Sequence, residues 1–222
     1  MAIGRRLPLV LLATPLALAA CGGGSKQAAP PTTTGASGCA SVSAPAGKAK
    51  TEAKPTAGLD ASKTYDVTLK TNCGSFTIRL AVKTSPKTTA SFVSLADKGY
   101  FDGTIFHRIV PGFVIQGGDP TGTGTGGPGY STVDRPPAST RYTLGVAAMA
   151  KTGSEPAGTS GSQFFVVTTA DAQLPPDYAV LGRVVKGLGV VKAIGELGDP
   201  NSGGTGTPTE TVEIEQATVA VH

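Results

Sequence analysis

Tryptophan is missing from this 222-residue chain, and only two histidines occur, His107 and His222. With so few imidazoles, neither a histidine-rich metal site nor a convincing Ser-His-Asp arrangement is available. The three cysteines, Cys21, Cys39 and Cys73, form no C-x-x-C pair, which argues against thiol redox catalysis. Aromatic residues make up only 5%, while glycine stands at 31 and proline at 17. That balance favours short strands and turns over a helical bundle. No heptad and no internal repeat is visible. No basic face with interleaved aromatics appears, so the formal net charge of +4 is not evidence for nucleic acid. From Asp60 onward, 13 Lys and Arg stand against 14 Asp and Glu. The positive excess lies ahead of that point, at Arg5, Arg6, Lys26, Lys48, Lys50 and Lys54. The Gly/Thr run 121–130 lacks the following Lys-Ser or Lys-Thr of a phosphate loop and reads as a flexible connection.

Residues 1–20 carry the parts of an export signal: Arg5-Arg6, the apolar stretch LPLVLLATPLALAA, then small residues. The stretch is 14 residues long, short of the ~20 that a spanning helix needs. Its end, LAAC (residues 18–21), resembles the bacterial lipobox, followed directly by GGGS. The resemblance implies cleavage before Cys21 and lipidation of its sulfur. The plainer alternative is an ordinary cleaved signal with an incidental cysteine. Residues 21–59 hold Gly, Ser, Ala, Thr, Pro and Lys with almost no large apolar side chain, so they are expected to form a disordered tether. If Cys21 is acylated, Cys39 and Cys73 remain as an even pair in an exported chain, where disulfides are permitted. A bridge between them is expected; two reduced thiols are the alternative. The expected location is extracytoplasmic, anchored to the bacterial cell membrane as a lipoprotein.

From Lys63 the pattern becomes regular. Tyr65, Val67 and Leu69 alternate with polar residues, as do Phe76, Ile78 and Leu80 after a turn at 71–75, which predicts a hairpin. Ser85-Pro86 opens a helix, with Ser as N-cap and Pro at the first helical position. Phe92, Val93 and Leu95 form its apolar stripe and Gly99 ends it. Further strands read over 106–110, 113–115, 144–150, 163–168, 179–184 and 211–219, and a short helix over 188–197. The alternation of the last strand changes phase near Gln216, which predicts a bulge. Eight strands and two helices without βαβ alternation leave a closed barrel or a sandwich open.

The sequence centres on FHRIVPGFVIQGGDP, residues 106–120. Two apolar runs flank Pro111-Gly112, which is turn chemistry. His107, Arg108 and Gln116 sit within those runs, where polar groups need partners or a ligand. This stretch resembles the signature of the cyclophilins, a family of peptidyl-prolyl cis/trans isomerases. A second stretch, GTSGSQFFVV at 158–167, resembles another cyclophilin signature. The resemblance covers the chain from about Lys63 onward. It implies an all-β dominated fold, a closed eight-stranded antiparallel β-barrel capped by two α-helices, for a domain over 60–222. It also implies an enzyme without cofactor or metal, acting as a monomer on Pro-containing unfolded or exported polypeptides. Carried over position by position, the catalytic residues would be Arg108, Gln116 and His107. The substrate would lie against Phe113, Val114, Phe165, Leu174 and Tyr178, with Gln163 on the rim and Ala150, Lys151 and Thr152 contacting its backbone.

Rotation about an amide bond requires no nucleophile. Its barrier of about 18–20 kcal/mol comes from C–N double-bond character, and a donor aimed at the amide nitrogen stabilises the twisted state selectively. Arg108 suits that role because its guanidinium is planar, charged and rich in donors. On strand pattern alone it reads first as a surface ion-pair residue. Strict alternation would place Phe113 and Gln116 on opposite faces, although the resemblance brings both to one groove. Two expectations follow: a membrane-tethered prolyl isomerase that assists folding of exported proteins, or a catalytically weak cyclophilin-like module that only binds Pro-containing segments.

Overall fold

In the first hairpin the residues that alternate in sequence also alternate in space. β1 (Tyr65–Thr71) and β2 (Gly74–Leu80) pair antiparallel. Val67, Leu69, Phe76 and Ile78 are buried, while Thr68 and Thr77, opposite each other, share a hydrogen bond of 2.9 Å. The structure, a computed structural model, describes residues 38–222. The export segment 1–20, the lipidation site Cys21 and the first part of the expected tether lie outside the described residues. Among the described residues, no helix is long and apolar enough to cross a membrane.

After the hairpin come α1 (Pro86–Asp97), β3 (Thr104–Ile105), β4 (Arg108–Val110) and β5 (Val114–Gly117). Then follow β6 (Thr132–Val133), β7 (Val146–Met149), β8 (Thr159–Ser160), β9 (Phe164–Val167), β10 (Val180–Lys186), α2 (Leu188–Gly195) and β11 (Glu213–Val221). Nine strands form one sheet in the order β3-β11-β1-β2-β10-β7-β9-β5-β4, and β6 pairs with β8 apart from it. Every paired neighbour is antiparallel. The bulge near Gln216 is present: Lys70 pairs Gln216 while Thr71 pairs Ile214, so Glu215 is the extra residue.

The sheet curls into a half-barrel of nine strands and does not close, which corrects the expected closed eight-stranded barrel. Its end strands, β3 and β4, are neighbours in sequence and only two and three residues long. They do not pair with each other; the segment ahead of β11 lies between them, with Phe106 N, just past β3, donating to Val212 O at 2.9 Å and Ile109 N of β4 to Gly206 O at 2.7 Å. That segment, rich in Gly and Pro, occupies the seam without forming a ladder. The two-residue strands β3, β6 and β8 carry too little alternation to register in the sequence.

α1 shows which helix signals acted. Pro86 is at the helix start, but the Ser85 side chain makes no capping bond. The Asp134 carboxylate serves instead, accepting Thr88 N at 2.6 Å. At the other end Gly99, at φ 64°, closes a Schellman motif: Tyr100 N donates to Leu95 O and Gly99 N to Ala96 O. The helix stripe meets a cluster of aromatic rings on the inner face of the sheet. Phe92 lies 4.6 Å from Phe101 and 5.4 Å from Phe164, and Phe106 lies 6.0 Å from Phe164.

The stretch 38–59, expected to be a disordered tether, is instead laid along the domain. Lys48 N donates to Pro120 O and Glu52 N to Pro128 O, both at 2.9 Å. Lys50 Nζ donates to Tyr100 O at 2.7 Å, and Lys98 pairs with Glu52 at 2.8 Å. Composition misled here because these contacts use backbone groups and lysine heads, not apolar side chains. Cys39 is bonded to Cys73 in the β1–β2 turn, 34 residues away. In the chain-entropy account such a loop contributes roughly 4 kcal/mol by restricting the unfolded chain, which offsets part of the cost of ordering the stretch.

Candidate active site

β4, the turn 111–113 and β5 build one wall. Gly112 takes φ 66° and Phe113 N donates to Val110 O at 3.0 Å, which makes Phe113 a turn residue. Strand alternation therefore does not govern it, and the conflict between Phe113 and Gln116 disappears. Arg108 stands opposite Gln116 in the ladder. Its Nη1 donates to Gln116 Oε1 at 3.5 Å, and its guanidinium lies 6.0 Å from the Phe113 ring centre. Gln116 Nε2 donates to Gln163 Oε1 at 3.1 Å, and Gln163 Nε2 to Gly126 O at 3.0 Å. An amide that donates through nitrogen must present its oxygen elsewhere. This relay thus turns the Gln116 oxygen toward Arg108.

The arginines divide by what they bind. Arg79 meets both oxygens of Asp66 at 3.0 Å, and Arg141 pairs with Asp171. Arg108 has no carboxylate among the described residues. Its contacts are the bond to Gln116 and one to Gly204 O at 3.4 Å, both long for hydrogen bonds. Gly206 packs so closely on its stem that a Cβ there would meet Arg108 Cγ at 2.8 Å. The stem is thus clamped while the head is weakly committed.

Beside this wall the outer face of the sheet is apolar. Val114, Val146, Ala148, Phe165 and Val167 are buried there with Tyr142, and Phe113, Ala150, Leu174 and Tyr178 pack against them. Phe165 pairs across β5 with Gln116, and its ring meets Tyr178 edge-on at 5.4 Å. Tyr142 was absent from the sequence-based site, yet its hydroxyl donates to Tyr178 O at 2.6 Å and accepts Tyr178 N at 2.9 Å. Burial pushes its phenol up to about 12, so it stays a donor. Its parity with Val146 and Ala148 is the sequence signal that could have found it.

Next to the apolar patch is a hollow of about 650 Å³ lined by Gln116, Gln163, Ala150, Thr152 and the glycine-rich run 124–131. Lys151 also borders it, but its head is only 4% exposed and bonds Asp177 at 2.9 Å and Glu155 O at 3.1 Å. Lys151 therefore ties two loops together. Thr152 is held by Glu155, whose carboxylate accepts Thr152 N at 2.6 Å and Thr152 Oγ1 at 2.9 Å.

Comparison with known proteins agrees with this geometry. The family model for cyclophilin type peptidyl-prolyl cis-trans isomerases matches residues 66–219. The chain belongs to the cyclophilin family. It is 43% identical over 134 residues to peptidyl-prolyl cis-trans isomerase-like 1 of Neurospora crassa, across 59% of this chain and 80% of that one. It is 39% identical to peptidyl-prolyl cis-trans isomerase CYP18-2 of Arabidopsis thaliana, across 67% of this chain and 90% of that one. A Cryptosporidium parvum cyclophilin, whose structure was solved in the presence of the dipeptide Ala-Pro, superposes with a TM-score of 0.63 at 31% identity, across 70% of this chain and 98% of that one. This cyclophilin is a peptidyl-prolyl cis-trans isomerase.

Two buried titratable groups organise the glycine-rich side of this cyclophilin. Burial works to raise the Asp119 carboxyl, but bonds from Thr121 Oγ1 and the N–H groups of Gly126, Thr121 and Gly124 together outweigh it and hold the group below its ordinary value. His107 lies beneath Gly124, and neither buried ring nitrogen has a hydrogen bond of standard geometry. Burial holds its imidazole below the ordinary 6.5. Both shifts have the same sign for stability. The unfolded chain takes up each proton at higher pH than the folded one, so stability falls as pH drops below each unfolded value. Acid should destabilise the molecule in two steps, one beginning near 6.5 and one near 3.8. Thermal midpoints against pH check this: His107→Gln removes the upper step and Asp119→Asn the lower. A wild type with no loss between pH 7 and 4 would refute the His107 assignment.

Proposed function

We propose that this isomerase turns X-Pro bonds with Arg108 as the donor to the amide nitrogen, and that it does so outside the cytoplasm, held at a membrane by lipid on Cys21. The observation that carries the catalytic part is Arg108 itself, a weakly committed guanidinium on a clamped stem, with no carboxylate partner among the described residues, beside the Phe113 ring. A proline ring seats against Phe113, Val114, Phe165, Leu174 and Tyr178, while the chain ahead of it follows the Ala150–Thr152 side. When the amide twists, its nitrogen regains a lone pair and accepts from Arg108. Neither planar isomer offers that lone pair, so the bond lowers the barrier without deepening the ground states. Gln116, oriented by Gln163, aims the guanidinium.

The Cys39–Cys73 bond supports the placement outside the cytoplasm, since structural disulfides belong to oxidising compartments. The sequence ending in LAAC supports the anchor. Substrates there would be exported polypeptides still folding. Expression of the full chain in a bacterial host tests the anchor. The wild type should sediment with membranes and label with palmitate, and Cys21→Ala should be soluble and unlabelled. A wild type that is cleaved but fully soluble would overturn it.

A further inference from the structure

The glycine-rich side of the hollow poses a physical problem. Gly122, Gly124 and Gly129 all take positive φ, with Gly126 and Gly127 between them. Such a run has more conformational freedom to lose than any other composition, and nothing within it supplies a core. From inside, Asp119 Oδ2 accepts Gly124 N at 2.6 Å and Gly126 N at 3.1 Å. From outside, a segment beyond the family match at 66–219 does the rest. Lys48 N and Glu52 N donate to Pro120 O and Pro128 O, at either end of the run. Lys54 Nζ donates to Ser131 O at 2.8 Å. Fit is close: a Cβ at Gly47 would collide with Thr121 O, and one at Gly129 would meet Thr51 Cγ2 at 2.8 Å.

We propose that residues 47–54 are a positioning segment of the substrate groove, a strap that fixes the 120–131 wall so that its residues meet an extended polypeptide in one geometry. The inference rests on the function proposed above, in which the chain ahead of the proline follows the Ala150–Thr152 side of the hollow that this wall also lines. The strap is held upstream and along its middle. Cys39 bonds Cys73 upstream. Lys50 Nζ spans Tyr100 O at 2.7 Å and Asp102 O at 3.2 Å, and Glu52 pairs with Lys98 at the end of α1. No strap residue is placed in the proline pocket, so the strap acts on the wall and not on the rotating bond. Its effect therefore falls on long substrates that reach the hollow, and on KM in preference to kcat.

Lys48→Pro combined with Glu52→Pro deletes the two backbone donors without touching a groove residue. Lys50→Met, which removes a different hold, guards against a proline effect on folding. In the full chain, three quantities are read: amide exchange at Gly124 and Gly126, KM and kcat for a proline peptide with three residues on either side, and the same constants for a short Ala-Pro peptide. Both variants should speed exchange at the two glycines and raise KM for the long peptide about fivefold or more. The value of kcat, and both constants for the short peptide, should hold. Unchanged glycine exchange would overturn the brace itself. Faster exchange with unchanged KM would overturn the proposal by showing that the wall does not meet substrate, and equal losses on both peptides would show a merely structural role.

Discussion

Arg108→Ala should lower the isomerisation rate of an Ala-Pro peptide by about 10²–10³, the loss found when one donor to a transition state is deleted. The size follows from what the guanidinium does in each state. In either planar isomer the amide nitrogen is a poor acceptor, so Arg108 contributes little to binding. In the twisted state it meets a recovered lone pair inside a partly desolvated groove, where a charge-assisted bond is at its strongest. The loss should thus fall on kcat, with KM nearly unchanged. Stability should change little, because both contacts of the head are long and no carboxylate is left unpaired. Arg79→Ala is the contrasting case: it strips both bonds from the Asp66 carboxylate and should leave the rate intact. Arg108→Lys keeps the charge but loses the planar fork, and should recover only part of the rate. Line-shape analysis of cis/trans exchange, free of any coupling protease, measures all three. Equal rates for wild type and Arg108→Ala would remove Arg108 from its role while leaving the enzyme.

What the sequence carried, and where it failed, follows from how local each determinant is. β1, β2 and β10 run long enough for period-two burial to show, and α1 announced its ends with Pro86 and Gly99. Arg108 and Gln116 were legible as polar groups in apolar runs, and the structure sets them opposite each other. Three determinants were not local. That the sheet stays open at β3 and β4 depends on what the backbone of 206–212 bonds, and composition does not reveal that. Order in 38–59 comes from backbone donors and lysine heads meeting carbonyls far along the chain, which a count of apolar residues misses. The cap of α1 is Asp134, 46 residues beyond the amide it accepts. Lys151 is expected beside the substrate backbone from its position in the resemblance; what the sequence did not show is that its long cation reaches Asp177 and the Tyr178 ring.

Neighbouring phenylalanines should give opposite phenotypes. Phe164 and Phe165 are consecutive in β9, so their rings stand on opposite faces of the sheet. Phe164 is fully buried at the centre of the inner aromatic cluster, edge-on to Phe92, Phe101 and Phe106 within 5.4 to 6.1 Å. Truncation there leaves a ring-sized void bounded by other rings that cannot collapse into it. Phe164→Ala should cost about 3–5 kcal/mol, a large part of the roughly 5–15 kcal/mol that holds a domain folded. Activity per folded molecule should survive at low temperature. Phe165 faces the outer cluster, against Tyr142 and Tyr178, on the face proposed above to seat the proline ring. Phe165→Ala should cost less stability, because the outer cluster is small and its neighbours Phe113, Leu174 and Tyr178 are only partly buried. Its loss should appear in KM: contact with a ring of that size is worth roughly 1.5–3 kcal/mol, or about 10- to 100-fold in affinity. Denaturant midpoints and exchange kinetics on both variants separate the faces. Similar stability losses with similar KM values would mean that the outer cluster is ordinary core, and the proline pocket would have to be sought elsewhere on the sheet.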